Sequence, residues 1–273
     1  MRGPGIDCVL TVAGSDSGGG AGIQADARVI GALGLHPITV VTAVTAQNTR
    51  GIQSWRPVPS TLVAEQLASV LGDFRIRAAK TGLLPGAAAV SAVAAALAQH
   101  PSVPLVVDPV LASTSGTRFL GESGIRALCS RLLPRAALLT PNWREAAVLA
   151  CRPVRTYPEA EDAARFLGSE YGCAVLVKGG HAGGRRSRDV LAAGTGAIHW
   201  FDGPRIRTRH THGTGCVLSS AIATGLAQGM ELTEAVARAR DFLRRALEQG
   251  AGVPWGPGTG PAYFTASAYG FIR

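Results

Sequence analysis

The five cysteines, at positions 8, 129, 151, 173 and 216, form no Cys-x-x-Cys pair and no metal-ligand spacing, and their number is odd. Free thiols in a reducing compartment are therefore the expectation. Equally missing is any run of about 18 charge-free apolar residues, and residues 1–10 carry one arginine without the apolar stretch of a secretion signal. A soluble, cytoplasmic protein with no membrane partner is the expectation. The chain also lacks internal repeats and low-complexity linkers, although residues 250–261 are rich in Gly and Pro and should be irregular. With 273 residues, 47% of them hydrophobic, a full core can be buried. Nothing divides it, so one domain over residues 1–273 is expected.

Acidic residues are scarce, 18 against 27 Lys and Arg, which leaves a formal charge of +9. A basic face draws polyanions. Here the charge is scattered instead: Arg126, Arg131, Arg135, Arg144, Arg152 and Arg155 lie among apolar helical residues. Arginine outnumbering lysine, with abundant Gly, Pro and Ala, has the character of a codon-composition bias. Nucleic acid is therefore not an expected partner, whereas phosphorylated small anions are.

Short β-rich runs alternate with amphipathic Ala/Leu-rich stretches. That is the pattern of a mostly parallel sheet with helices on both faces, an α/β fold. Strands are expected at residues 8–12, 38–45, 78–81, 105–108, 137–140 and 174–178. Helices are expected at 20–33, 61–72, 87–99, 159–168, 216–228 and 233–249, and a polar hairpin-like region at 187–209. Ligands of open α/β sheets sit beyond the carboxyl ends of the strands, and the unusual residues of this chain fall there.

The first of these is Gly14-Ser15-Asp16-Ser17-Gly18-Gly19-Gly20-Ala21-Gly22, between a strand and a helix. Glycines allow close backbone approach to a ligand, and the helix start offers free N–H groups. It matches neither G-x-G-x-x-G nor the lysine-bearing phosphate loop, and a tight turn without ligand is the plain alternative. A stronger signal is His210-Thr211-His212-Gly213-Thr214-Gly215-Cys216, directly before a helix. Small residues at 213 and 215 let the amides of Gly213, Thr214, Gly215 and Cys216 converge as an anion cradle. Cys216, at the positive end of that helix, is expected to lose its proton more readily than a free thiol and to accept one from an attacking hydroxyl. The alternative is a small buried hydrophobe.

Three further strand ends complete a nucleotide site. Asp108 ends one, Thr140-Pro141-Asn142 another with Glu145 one turn into its helix, and Lys178-Gly179-Gly180-His181 a third. Asp108 and Glu145 suit Mg²⁺ directly or through water, and Lys178 can neutralise phosphate oxygens. Each also has a structural role open to it, as a turn cap, a helix cap or a solvated strand end.

Together these stretches, with Gln24-Ala25-Asp26 and Ala46-Gln47-Asn48-Thr49-Arg50-Gly51, resemble the hydroxymethylpyrimidine and phosphomethylpyrimidine kinases of thiamin biosynthesis, in the ribokinase-like superfamily. The resemblance runs from residue 10 to about residue 250, and residues 258–261 also look like the family's ending. It implies an ATP- and Mg²⁺-dependent transfer to a hydroxymethylpyrimidine and to its monophosphate, by an enzyme that often dimerises. It implies that Gln47 reads the ring nitrogen and amino group, with Gly14, Asp26, Thr45 and Leu83 lining the pocket. Nucleotide would meet Asp108, Thr140, Asn142, Lys178, Thr211 and Gly213. Leu83 stands where the family commonly has Met, and Thr45 where it commonly has an apolar residue. Cys216 and the Gln-Asn-Thr run favour the pyrimidine branch over relatives that phosphorylate sugars or pyridoxal.

One departure stands out. Where relatives show Asp-x-Val-Met-x-x-Lys-Ser-Gly, this chain has Asp108-Pro109-Val110-Leu111-Ala112-Ser113-Thr114-Ser115-Gly116, with Thr114 replacing the lysine and Arg118 four residues on. Less charge then faces the transferring phosphates. The rivals are a pyridoxal or pyridoxine kinase, a kinase of a related pyrimidine in a specialised pathway, and a non-catalytic pyrimidine sensor.

Overall fold

The computed structural model of the chain describes residues 5–113, 116–180, 182–194 and 196–264. In order, the elements begin β1 (Asp7–Asp16), α1 (Gly22–Ala32), β2 (His36–Asn48), β3 (Gly51–Pro57), α2 (Ser60–Asp73), β4 (Arg75–Thr81) and α3 (Gly86–Ala98). The middle of the chain forms β5 (Leu105–Val107), α4 (Glu122–Ala127), β6 (Leu138–Leu139), α5 (Trp143–Leu149), α6 (Tyr157–Tyr171) and β7 (Ala174–Val177). The hairpin β8 (Arg186–Ala192) and β9 (Ile198–Pro204) precedes α7 (Thr214–Ala227) and α8 (Leu232–Gly250).

The nine strands of the described residues join one sheet in the order β3-β2-β1-β4-β5-β6-β7-β8-β9. β2, β1, β4, β5, β6 and β7 run parallel, while β3 pairs antiparallel with β2 at one edge and β8 and β9 do so at the other. Alternation along the strands divides the core into two layers. Cys8, Leu10 and Val12 of β1 pack with Leu67, Val90, Trp143 and Leu167 from α2, α3, α5 and α6. Val9, between them, packs with Val29, Val217, Ile222 and Val236 from α1, α7 and α8. No helix among the described residues is long and apolar enough to cross a membrane.

The chain moves outward from β1 to β2, then returns across β1 to β4, so the strand order reverses beside β1. A crevice opens there beyond the carboxyl ends of the strands. The Gly/Pro-rich tail folds back over it: the Thr259 N–H donates to the Thr49 carbonyl at 2.8 Å, Gly260 N–H to His210 Nδ1 at 3.0 Å, and His212 N–H to the Gly260 carbonyl at 3.1 Å. The turn after β2 is thereby tied to the loop before α7.

Each expected strand and helix is present, with ends moved by a few residues. Two elements were not anticipated. β3 contains exposed Gln53, Ser54 and Arg56 and ends in Pro57, a pattern open to an edge strand but weak as a sequence signal. α4 is only six residues long and continues into a π-turn at Leu128–Leu132, too short to show a helical period.

Candidate functional site

Both glycine-rich segments meet at the crevice. Gly213 caps α7 in the left-handed region, φ 74°, and a side chain there would run into the Gly20 carbonyl. Only glycine lets the two loops touch backbone to backbone. The first loop is itself organised by Asp16, whose Oδ1 accepts the Gly18 N–H at 2.8 Å and whose Oδ2 accepts those of Gly20 at 3.1 Å and Ala21 at 2.8 Å. His212 Nε2 lies 2.8 Å from the same Oδ2. Burial pushes the Asp16 carboxyl upward, but His212 and the loop amides outweigh it and hold the group below the usual carboxylate range.

The first turn of α7 has no side-chain cap, and the Thr214 hydroxyl donates to the Thr211 carbonyl at 3.1 Å. Thr211 itself is exposed. Gly215 permits a close approach on the other side of the turn: a Cβ there would lie 3.3 Å from Asp108 Oδ2 and 3.4 Å from Lys178 Nζ. The helix start therefore rests against the Lys178–Asp108 ion pair, 2.8 Å long and nearly buried. Thr140 Oγ1 lies 3.4 Å from Asp108 Oδ1. Asn142 and Glu145 form a capping box at the start of α5, with the Asn142 N–H donating to Glu145 Oε2 at 2.8 Å and the Glu145 N–H to Asn142 Oδ1 at 3.0 Å. Asp108, Thr140, Asn142, Glu145 and Lys178 thus gather at the ends of the neighbouring strands β5, β6 and β7.

Glu145 is buried, and burial pushes its carboxyl up to about 7, against the pull of Lys178. A buried acid poised there, beside Asp108, has a donor set of carboxylate oxygens that fits a hard divalent cation. Among the described residues no cluster of three or more His, Cys, Asp and Glu is assembled as a ready-made metal cage. A cation keeping several waters needs none.

Cys216 is partly accessible at the floor of the site. Its proton behaves differently from the sequence expectation: burial pushes the thiol up to about 11, although Lys80 beside it and the Gly22 N–H pull the other way. Desolvation, with Asp26 and Asp108 nearby, outweighs the Lys80 cation and the Gly22 N–H.

Asp26 does not line an open surface. It is fully buried and its oxygens are filled by Thr11 Oγ1 at 2.6 Å, Ser220 Oγ at 2.7 Å, and Lys80 Nζ at 2.9 and 3.0 Å. Asp26 therefore supports the floor under Cys216 in place of touching a ligand. Gly14 is flanked by Leu83 and Ala43, Thr45 Oγ1 donates to the Ser15 carbonyl at 3.0 Å, and the Gln47 carboxamide reaches to 3.0 Å from His212 Nε2. These four positions share the mouth of β1, β2 and β4. Thr114 and His181 lie outside the described residues, and Arg118 is exposed with its Nε donating to the Leu120 carbonyl at 3.3 Å. Beyond His212 opens a cavity of about 450 Å³ walled by Asp16, Asn48, Arg50, Trp255 and the tail.

Asp16, His212 and Lys80 were not singled out as functional residues. Lys80 could have been: a lysine inside the run Ala78-Ala79-Lys80-Thr81 of a strand covered on both faces must have a buried partner. For Asp16 and His212, 196 residues apart, only their places in the two glycine-rich loops gave a signal.

The sequence model for phosphomethylpyrimidine kinase matches residues 16–262. A hydroxymethylpyrimidine/phosphomethylpyrimidine kinase of Streptomyces coelicolor is 45% identical over 253 residues, covering 93% of this chain and 92% of that protein. A thiamine biosynthesis bifunctional protein of Geobacter sulfurreducens is 44% identical over 253 residues, and the chain spans 51% of its length. Among solved structures, an ADP complex of Bacillus subtilis pyridoxal kinase superposes with a TM-score of 0.88 at 29% identity, over 96% of this chain and 99% of that one. A phosphomethylpyrimidine kinase of Clostridium difficile gives 0.78 at 32% identity, over 88% and 99%.

Proposed function

The chain belongs to the phosphomethylpyrimidine kinase family, and from that premise we propose that it transfers the γ-phosphoryl group of ATP to the hydroxymethyl group of 4-amino-5-hydroxymethyl-2-methylpyrimidine, for thiamin synthesis. The observation that carries this reading is the placement of the α7 start, which lies against the Asp108–Lys178 pair at Gly215 and against the Asp16 loop at Gly213. A phosphoryl group held by the amides there has a nucleotide-side cation next to it and an acceptor pocket on the other side. Lys178 neutralises phosphate oxygens, Asp108 and Glu145 would hold Mg²⁺, and Gln47 with Gly14, Thr45 and Leu83 receives the ring. Mg²⁺ held there would supply charge neutralisation for the transferring phosphoryl group. The substrate oxygen attacks the γ-phosphorus in line as that atom's bond to the bridging oxygen of departing ADP breaks, Cys216 in its thiolate form takes the hydroxyl proton, and most of the acceleration comes from positioning and fixed dipoles.

A substrate panel with product mass as the readout tests the proposal: ATP should be consumed when the hydroxymethylpyrimidine is added. Turnover confined to pyridoxal would place the chain with the pyridoxal kinases, and no turnover with either would make it a sensor. The ring contact has its own test. Gln47→Leu should raise the KM for the pyrimidine by roughly 10- to 100-fold, the effect of leaving about 1 to 3 kcal/mol of buried polar edge unpaired. The KM for ATP should stay in place; equal damage to both would give Gln47 a structural role.

The same reading extends to a second transfer, onto the pyrimidine monophosphate. Two anions then meet with one cation fewer, because Thr114 replaces a lysine. Thr114→Lys should raise the rate on the monophosphate by about tenfold more than on the alcohol, a difference of about 1.4 kcal/mol between like charges. An unchanged ratio of the two rates would remove this loop from phosphate neutralisation.

A further inference from the structure

The Gln47 carboxamide lies between two neighbours. One of its terminal atoms is 3.0 Å from His212 Nε2 and the other 3.4 Å from Thr45 Oγ1. Oxygen and nitrogen of a carboxamide have the same shape, so the neighbours decide which is which.

The decision starts at Asp16. Three loop amides donate to its carboxylate, which is held ionised and can only accept. His212 Nε2, 2.8 Å from Oδ2, must therefore carry the ring's hydrogen. A ring nitrogen bearing a hydrogen has no lone pair to offer, so the Gln47 atom beside it has to be the oxygen; a nitrogen there would set two donors face to face. Thr45 gives the same answer from the other side. Its single hydroxyl hydrogen goes to the Ser15 carbonyl at 3.0 Å, leaving lone pairs toward Gln47, which call for the amide nitrogen. Both contacts thus fix one orientation of the amide.

We propose that Asp16, through His212, and Thr45 act as positioning residues that lock the Gln47 amide in one orientation and thereby make the pocket select an aminopyrimidine edge. This rests on the reading that Gln47 meets the ring. An aminopyrimidine presents an acceptor ring nitrogen beside a donor amino group, and the 4-oxo analogue presents the reverse, a ring N–H beside a carbonyl. A locked amide pairs with one order only, whereas an amide free to turn over pairs with either. Thr45 adds a second lock to the one Asp16 and His212 supply.

The test compares kcat/KM for the 4-amino substrate and its 4-oxo analogue in the wild type, Thr45→Val, His212→Phe, His212→Gln and Gln47→Leu. Thr45→Val keeps the side-chain shape, so it reads the hydroxyl alone. The amino-over-oxo ratio should fall about tenfold in Thr45→Val and in His212→Phe, chiefly through KM, the loss expected for one hydrogen bond that fixes orientation. His212→Gln, which keeps a donor, should retain more of the ratio than His212→Phe. Selectivity lost in Gln47→Leu but intact in both Thr45→Val and His212→Phe would overturn the lock while leaving the Gln47 contact standing. Selectivity intact in Gln47→Leu would overturn the ring contact itself and the lock with it.

Discussion

Cys216→Ala is expected to lower kcat by about 100-fold or more, the usual loss when a general base is removed, while the KM values for pyrimidine and ATP change little. In the proposed reading the ring is held by Gln47 and the walls around Gly14 and Leu83, and the phosphates by backbone amides that an alanine retains. The pH dependence separates this role from packing. With the thiol pushed up to about 11, only about one molecule in a thousand carries thiolate at pH 8. The kcat/KM of the wild type should therefore rise about tenfold per pH unit from neutrality toward that value, since it reports the free enzyme's base. In Cys216→Ala the same profile should be flat over that range. A variant with nearly full turnover, or a wild-type profile without the rise, would leave the cradle to carry the chemistry and make the thiol a packing group.

The difference between expected and observed thiol shows where sequence reading reaches its limit. The α7 start was legible because Gly213, Thr214, Gly215 and Cys216 are neighbours in the chain, and a local pattern fixes local geometry. What surrounds the sulfur was not, because Lys80, Asp26 and Asp108 come from β4, α1 and the end of β5. A helix end alone lowers a thiol; burial among side chains from three distant segments raises it, and burial wins.

The same division runs through the fold. Short β-rich runs alternating with amphipathic Ala/Leu-rich stretches placed the sheet and its helices, since both faces of the strands had to be covered. β3 escaped because an edge strand with one face in water needs no apolar run. In the site, Asp108, Thr140 and Lys178 were found as strand ends, whereas Asp26 was placed beside the ligand when its helix turns it inward to Thr11, Ser220 and Lys80. Spacing within one segment gives the face of a helix but does not name the residue that meets it.

That inward ion pair should dominate the stability of the site's floor. Lys80 and Asp26 are both fully buried and 2.9 Å apart, and Ser220, one turn after Cys216 on α7, donates to the same carboxylate. Lys80→Met leaves Asp26 with two hydroxyl donors and no cation, and a buried charge stripped of its partner costs about 3 to 5 kcal/mol. Asp26→Leu strands the ammonium in the same way. The Lys80→Met/Asp26→Leu double variant removes both charges and should recover most of the loss, because a buried pair exchanged for apolar groups of similar volume is often close to neutral. The sign with pH follows from Lys80, whose ammonium is held above its ordinary range by Asp26 despite the opposing effect of burial. Stability from a raised lysine is fully present below the unfolded value, near 10.4, and is lost only as pH climbs through the higher folded value. Between pH 6 and 9 the wild type should therefore draw a constant contribution from Lys80. Urea unfolding of the four proteins at pH 7 measures the cycle: two strongly destabilised single variants and a double variant well above both would establish the pair as a coupled unit beneath the cradle, and single variants as stable as the wild type would show that it holds nothing in place.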